Sequence, residues 1–391
     1  MPSLTLITKL FAPAEGPCQP VQLQWRLIRK KGRPFLLLPK TANEARVGLG
    51  LYSAQRPSAK LGHLFLRFTL GTPLWNLVPQ VRLQVDSESE LVAFIREQSA
   101  VPSSQFQSLA ILFSCLAIEK QRLLILICNE KARPMRIIKV GLKPKASEVV
   151  EREADYITRL PPNIVGSITV SGRASTPVLS AFSMPYCPGD NPPSDQAVSP
   201  ILRSWLNRGP RRPIKSLKAW QELQAAGGES KDFQILNDIL AGQTVQPVIQ
   251  HGDFTPWNIR LDVAGEWRVF DWECGDLEGM PGWDWFHFVV QTSILVKRHS
   301  PQRAAAEVEQ LISALQFQDY AEATGIREFA RPLLLAYLLR QLWLVKPEAG
   351  AATTTALHKL LSNRWRLTEQ FPANGMEGTR LLKNPTLTSS L

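Results

Sequence analysis

The sequence predicts an α+β fold: an antiparallel-sheet lobe followed by a mainly helical lobe, with an extra basic, strand-rich N-terminal module in front. Three observations predict it. Short apolar runs, some alternating with period two and punctuated by Gly and Pro, crowd the first half of the chain. Acidic and amide residues from His251 to Glu273 are interleaved with short strand-like runs. The remainder of the second half reads mainly as helix.

Taken in order, residues 1–98 form the expected N-terminal module. Val21 to Leu27 alternates as a strand, Pro34 to Pro39 is a short apolar run, and Leu64 to Phe68 is another expected strand. Asp86 to Gln98 is expected to be a helix, with Leu91, Val92, Phe94 and Ile95 on its apolar face and acids in its first turn. Residues 99–186 are the expected sheet lobe. Strands are predicted at Leu109–Phe113, Leu123–Cys128 and Met135–Val140, then a helix from Ser147 to about Leu160, then strands at Ser167–Val170 and Pro177–Met184. Met184 to Gly189 connects to residues 187–373, the expected helical lobe. There Thr244–Ile249 leads as a strand into a hairpin, Ile259–Leu261 and Trp267–Phe270, turned by Asp262 to Glu266. Leu333 to Val345 is too short, and too interrupted by Arg340 and Gln341, to span a bilayer, so a buried helix is expected. Residues 374–391 read as a polar, poorly ordered tail.

Composition narrows the class. The chain has 391 residues, 44% hydrophobic and 20% charged, which suits a globular protein. Five dispersed cysteines without a CxxC pair suit free thiols in a reducing compartment. The first residues lack the basic segment of a secretory signal, so a cytoplasmic location is expected. The net charge is +11, and residues 1–85 hold nearly all of it, with twelve Lys and Arg against Glu15 and Glu44. That asymmetry suits an anionic partner or membrane surface, and equally a solvated basic surface; no specific nucleic-acid motif accompanies it.

The chemistry concentrates in His251-Gly252-Asp253-Phe254-Thr255-Pro256-Trp257-Asn258 and in Asp271-Trp272-Glu273. Asp253 can accept a proton from an attacking hydroxyl. Asn258 can reach a metal, and Asp271 can bridge that metal to nucleotide phosphates, the three roles of a phosphoryl-transfer site. No Ser-His-Asp or zinc spacing competes with this reading. Trp257, Trp272, Trp283 and Trp285 surround the motif; such aromatics are more often core than ligand platforms, and Trp257 is the best placed to stack on a substrate.

This His-Gly-Asp-x-x-x-x-Asn followed by Asp-x-Glu resembles the aminoglycoside phosphotransferase and choline kinase-like family, small-molecule kinases with a bilobal protein-kinase-like fold. The resemblance covers roughly residues 105–370, and Gly252, where protein kinases usually carry Arg, points to the small-molecule branch. A protein kinase is disfavoured, because Asp271-Trp272-Glu273 replaces Asp-Phe-Gly and no Ala-Pro-Glu follows. The resemblance implies ATP (or GTP) and Mg²⁺ as cofactors. It assigns Lys139 to the nucleotide's α/β-phosphates, Met184 and Tyr186 to backbone contacts with the base, and Ser114 to the turn over the phosphates. Helical spacing selects Glu153 over Glu148 and Glu151 as the partner of Lys139, because Val149, Tyr156, Ile157 and Leu160 share its face. Asn258 and Asp271 are the expected metal ligands, and Glu273 assists a second metal or orients Asp271. His251 is expected to support the loop from beneath, and Asp284 resembles a family aspartate that braces it. One departure stands out: no glycine occurs between Gly71 and Gly141, where the family often has a glycine-containing turn. The expected activity is transfer of a γ-phosphoryl group to a hydroxyl of a small molecule (amino sugar, amino alcohol, sugar or related metabolite). The alternative is a catalytically weak kinase-like binding or scaffold protein.

Overall fold

The computed structural model describes residues 20–54, 57–86, 89–99, 109–114, 119, 121–129, 131–162, 164–192, 196–345 and 349–365. The expected 374–391 tail, the start of the 99–186 segment and most of the turn after Ser114 lie outside them.

One antiparallel sheet of eight strands dominates the N-terminal half. Its strands are β1 (Pro20–Lys30), β2 (Arg33–Pro39), β3 (Gln80–Asp86), β4 (Ala110–Phe113), β5 (Arg122–Cys128), β6 (Pro134–Gly141), β7 (Gly172–Ser175) and β8 (Ser180–Pro185). The spatial order is β3-β1-β2-β4-β5-β6-β8-β7. The strands of residues 20–86 therefore continue into those of residues 110–185, joined where Leu36 pairs with Leu112 and Leu37 with Ile111.

Period-two alternation gives this sheet two apolar faces. Leu37, Ile111, Phe113, Leu123, Ile125 and Ile127 turn to one side, under Leu91, Val92, Phe94 and Ile95. Leu36, Leu38, Ala110, Leu112, Leu126 and Cys128 turn to the other. Two helices serve that second core. They are α1 (Ala42–Gly48), which brings Ala45, and α2 (Pro57–Thr69), from which Leu66 packs against it. The covering helix on the first face is α3 (Glu90–Ser99).

Two strand predictions need correction. Leu64–Phe68 belongs to helix α2, because its apolar residues continue a spacing of three and four from Leu61 that a five-residue window hides. Ser167–Val170 forms no strand, and pairing begins at Gly172, whose β7 lies against β8.

Helix α4 (Pro144–Arg159) follows β6, with Pro144 in its first turn, where the lost N–H costs nothing. Its buried face carries Val150, Glu153, Ala154 and Ile157. The second lobe is mainly helical: α5 (Ser199–Ser204), α6 (Lys218–Gly227), α7 (Lys231–Leu240), α8 (Trp283–Gln291), α9 (Pro301–Ser313), α10 (Leu315–Thr324), α11 (Ala330–Arg340) and α12 (Ala351–Trp365). Every residue of α8 is buried, which makes it the axis of the lobe. The expected buried helix at 333–345 is α11 and a π-helical turn, Gln341–Val345. No helix among the described residues is long and apolar enough to cross a membrane.

Short strand pairs set the loops of this lobe. They are β9 (Arg212–Pro213) with β10 (Thr244–Val245), β11 (Val248–Gln250) with β14 (Asp276–Gly279), and the hairpin β12 (Ile259–Leu261) with β13 (Trp267–Val269). The single strand expected at 244–249 is divided at Gln246–Pro247, since proline has no N–H to give a ladder.

Candidate active site

Strand β11 delivers His251, Gly252 and Asp253 to the cleft between the lobes. Gly252 has φ +81°, and a Cβ there would sit 2.4 Å from the Cys274 carbonyl oxygen. Only glycine fits that turn without strain. The loop is held from below. His251, fully buried, lies against Trp272, with ring centroids 4.7 Å apart. Its Nε2–H donates to the Phe270 carbonyl at 2.7 Å, and Nδ1 accepts the Asp253 N–H at 3.2 Å. The backbone N–H groups of His251 and Gly252 donate to the two Asp284 oxygens at 2.6 and 2.9 Å. Asp284 lies in the first turn of α8, and burial raises its carboxyl despite these donors and His251.

Asp253 and Asn258 are tied together. Asn258 Nδ2 donates to the Asp253 carbonyl at 2.9 Å and to Asp253 Oδ2 at 3.1 Å, which turns the Asn258 Oδ1 away. The hairpin then closes the gap to Asp271: Ile259 pairs with Val269, and the Phe270 N–H donates to the Asn258 carbonyl at 2.8 Å. Asp271 follows with left-handed backbone, φ 68°. Aspartate tolerates that region better than most residues, and such conformations gather at functional sites.

Across the cleft, Lys139 on β6 places Nζ 2.5 Å from Glu153 Oε2 and 2.5 Å from Asp271 Oδ1. It thereby joins the sheet, α4 and the 251–273 loops. Lys139 pairs with Leu124 on β5, so Arg122, two residues away, shares its face. Arg122 pairs closely with Glu273 and lies 3.7 Å from Asp271 Oδ1. Burial alone would lower the Lys139 ammonium and raise both carboxyls. Asp271 and Glu153 instead lift Lys139 above its ordinary value. Lys139 and Arg122 together pull Asp271 below the carboxylate range against its burial, while Glu153, sealed from solvent, stays above it.

A cavity of about 530 Å³ opens on this cluster. Leu112, Leu124, Ile137 and Met184 give it apolar walls, and Lys139, Asn258 and Asp271 close one end. Ser114 and Tyr186 also line it, but both are already engaged. The Ser114 N–H and hydroxyl go to the Arg122 carbonyl at 3.0 and 3.3 Å, and the Tyr186 N–H goes to the Met135 carbonyl at 3.0 Å. Of the four tryptophans, Trp257 lines the cavity, whereas Trp272, Trp283 and Trp285 are core.

Sequence reasoning missed several neighbours. Residues 50–53 line the cavity beside the 184–189 connector, and Gly50 approaches the Tyr186 hydroxyl. His287 Nε2 lies 3.0 Å from Asp253 Oδ1, and its Nδ1 lies 3.0 Å from the Tyr337 hydroxyl. Burial pushes the Tyr337 hydroxyl well above its ordinary value, so it stays protonated beside Nδ1. Asp253 and Tyr337 thus engage the two ring nitrogens of His287 from opposite sides and fix the orientation of the ring. The available signal was spacing: His287 is three residues after Asp284, on the same side of α8. Arg122 was legible only as the residue two before Leu124, in register with Lys139.

The model of the phosphotransferase enzyme family matches residues 195–325, which hold the His251–Asn258 loop, Asp271, Glu273 and Asp284. The resemblance read from those motifs is borne out over this third of the chain. Among solved structures, the chain is similar to a putative fructosamine-3-kinase from Haemophilus somnus 129PT, at 15% identity over 69% of this chain and 96% of that one, TM-score 0.42. It is also similar to APH(2")-IIa in its ternary complex with streptomycin and ATP (12% identity, 74% and 98% coverage, TM-score 0.41). A third is ADP-bound aminoglycoside phosphotransferase APH(2'')-Ib (11%, 70% and 96%, TM-score 0.41). No curated protein matches the chain.

Proposed function

From the phosphotransferase signature at 195–325 and the charge cluster facing it, we propose that this protein moves the γ-phosphoryl group of ATP (or GTP) to a hydroxyl of a small molecule. The acceptor class is an amino sugar, amino alcohol, sugar or related metabolite. The observation that carries the proposal is Lys139 held between Glu153 and Asp271, at the end of an apolar-walled cavity that also contains Asn258. In this reading the apolar walls take the base, Lys139 takes phosphate charge, and Asp253 orients the acceptor hydroxyl and accepts its proton. His287 and Asn258 hold the Asp253 carboxylate still while it does so.

The donor set fits Mg²⁺, which prefers hard oxygens. Asn258 Oδ1 is turned away from Asp253, Asp271 Oδ1 alone is bonded to Lys139, and oxygens of Glu153, Asp271 and Glu273 lie within 4.8 Å of one another. Asn258 and Asp271 would hold the ion, with Glu273 beside them once free of Arg122. When bound, Mg²⁺ neutralises charge on the transferring phosphoryl group.

A second reading, a catalytically weak kinase-like binding protein, is favoured by two observations: Arg122 already covers Glu273, and the Ser114 hydroxyl is engaged. Thermal shift with ATP and GTP, with and without Mg²⁺, separates the two. The catalytic reading expects Mg²⁺-dependent stabilisation in wild type that Asp271→Ala loses. It also expects Asp253→Ala to bind nucleotide yet transfer no phosphate. Absence of any shift at millimolar nucleotide, or full transfer by Asp253→Ala, overturns it.

A further inference from the structure

Helix α2 exposes an apolar stripe that the catalytic reading does not use. At about 100° per residue, Leu61, Leu64, Phe65 and Phe68 fall within an arc of about 100° on one side. They are 69%, 60%, 65% and 83% exposed. Leu74 and Leu77, in the short helix after it, are exposed as well. The opposite side of α2 is the one that docks. His63 Nε2 meets the Leu49 carbonyl at 3.2 Å, and Leu66 packs on the core beneath the sheet. Single exposed leucines are ordinary, but a periodic stripe of leucine and phenylalanine is the signature of a surface that meets something.

The charge around the stripe selects its partner. Lys60 and Arg67 are exposed on one shoulder of it, about 100° from its centre by the same helical geometry. The helix contains no acid, and residues 1–85 carry twelve basic residues against two acidic ones. A second copy would bring two strongly positive modules together. A nucleic acid would use the basic residues and the two phenylalanines but gains nothing from the four exposed leucines. An anionic lipid surface uses both features: its headgroups meet the basic shoulder, and its acyl boundary takes the leucines and phenylalanines.

We propose that α2, with the Leu74–Leu77 turn, is an interfacial membrane-binding helix that lies flat on an anionic bilayer. Phe65 and Phe68 enter the acyl boundary while Lys60 and Arg67 engage headgroup phosphates. This attachment is peripheral and stands apart from the phosphotransferase reading.

The test is flotation of the full chain with vesicles of phosphatidylcholine alone and of phosphatidylcholine mixed with phosphatidylglycerol. The expected result is co-flotation with the mixed vesicles only, weakening as salt is raised. Phe65→Ser/Phe68→Ser and Lys60→Glu/Arg67→Glu should each weaken it by about tenfold or more. Both pairs lie on the surface, so unchanged thermal stability should confirm that the variants are folded. Three results overturn the proposal: no flotation with anionic vesicles at low salt, flotation by Phe65→Ser/Phe68→Ser equal to wild type, or light scattering that reveals a dimer dispersed by that variant.

Discussion

Arg122 is the residue whose chemistry most changes what the cleft can do. It is a fixed cation between Asp271 and Glu273, where a divalent ion would also be drawn. Two unit charges of like sign repel by roughly 4 kcal/mol at 4 Å and an effective dielectric constant of 20, and a divalent ion doubles that. Arg122→Gln should therefore lower the Mg²⁺ concentration needed for nucleotide-dependent stabilisation, by roughly tenfold after side-chain relaxation. A Mg²⁺ titration followed by thermal shift checks this, and an unmoved midpoint would mean that Arg122 does not compete. His287 acts on the other side of the site. Because its Nε2 holds Asp253 at 3.0 Å, His287→Ala should lower kcat by roughly tenfold to a hundredfold with little change in KM. Tyr337→Phe, which removes only the hydroxyl bonded to Nδ1, should give a smaller loss in the same parameter. A change confined to KM would instead indicate a role in acceptor binding. Neither residue announced itself in the sequence, because each meets its partner across a long separation, Arg122 to Glu273 and His287 to Asp253. Asp253, Asn258 and Asp271 were legible because one hairpin closes the distance between them, and its strands and turn can be read locally.

At the scale of elements, the loop between β11 and the hairpin depends on one backbone conformation. The φ of +81° at Gly252 and the Cys274 carbonyl beside it leave no room for a methyl group. Gly252→Ala should destabilise the fold by about 2–4 kcal/mol, combining left-handed strain with a forced shift of backbone. It should also displace Asp253, so transfer should fall further than stability alone accounts for. Thermal melts beside activity at a temperature where the variant is folded distinguish the two effects. Helix α2 shows the converse limit of reading elements locally. Leu64 to Phe68 in isolation is an apolar run that suits a strand as well as a helix. What decides is the partner: Leu66 and His63 find a core on one side, and the outward residues find none. Helix α4 was easier, because its long amphipathic pattern singled out Glu153 as a carboxylate facing inward, and Lys139 lies there to meet it.

At the scale of the molecule, the N-terminal segment and residues 110–185 share one sheet. Composition separates residues 1–85 sharply by charge, but strand pairing cannot be read from charge, and the sheet runs through from β3 to β7. Strand β4 is buried on both faces between β2 and β5. Leu36, Leu37 and Leu38 contribute to the two cores on either side of it. The segment also reaches the site: residues 50–53 wall the cavity, and Ser53 meets Asn191, which accepts from Arg260 at 2.6 Å. Removing residues 1–98 would uncover Ile111, Leu112 and Leu126, open one wall of the cavity and leave β4 as an unpaired edge. Each large aliphatic side chain so exposed costs about 1.5–3 kcal/mol, and several together rival the 5–15 kcal/mol that typically holds a domain folded. A chain of residues 99–391 should therefore aggregate or lose its cooperative melt, and should show no nucleotide-dependent stabilisation. Recovery of a soluble, cooperatively melting 99–391 that still binds nucleotide would show instead that the basic segment is an independent module laid against a complete lobe.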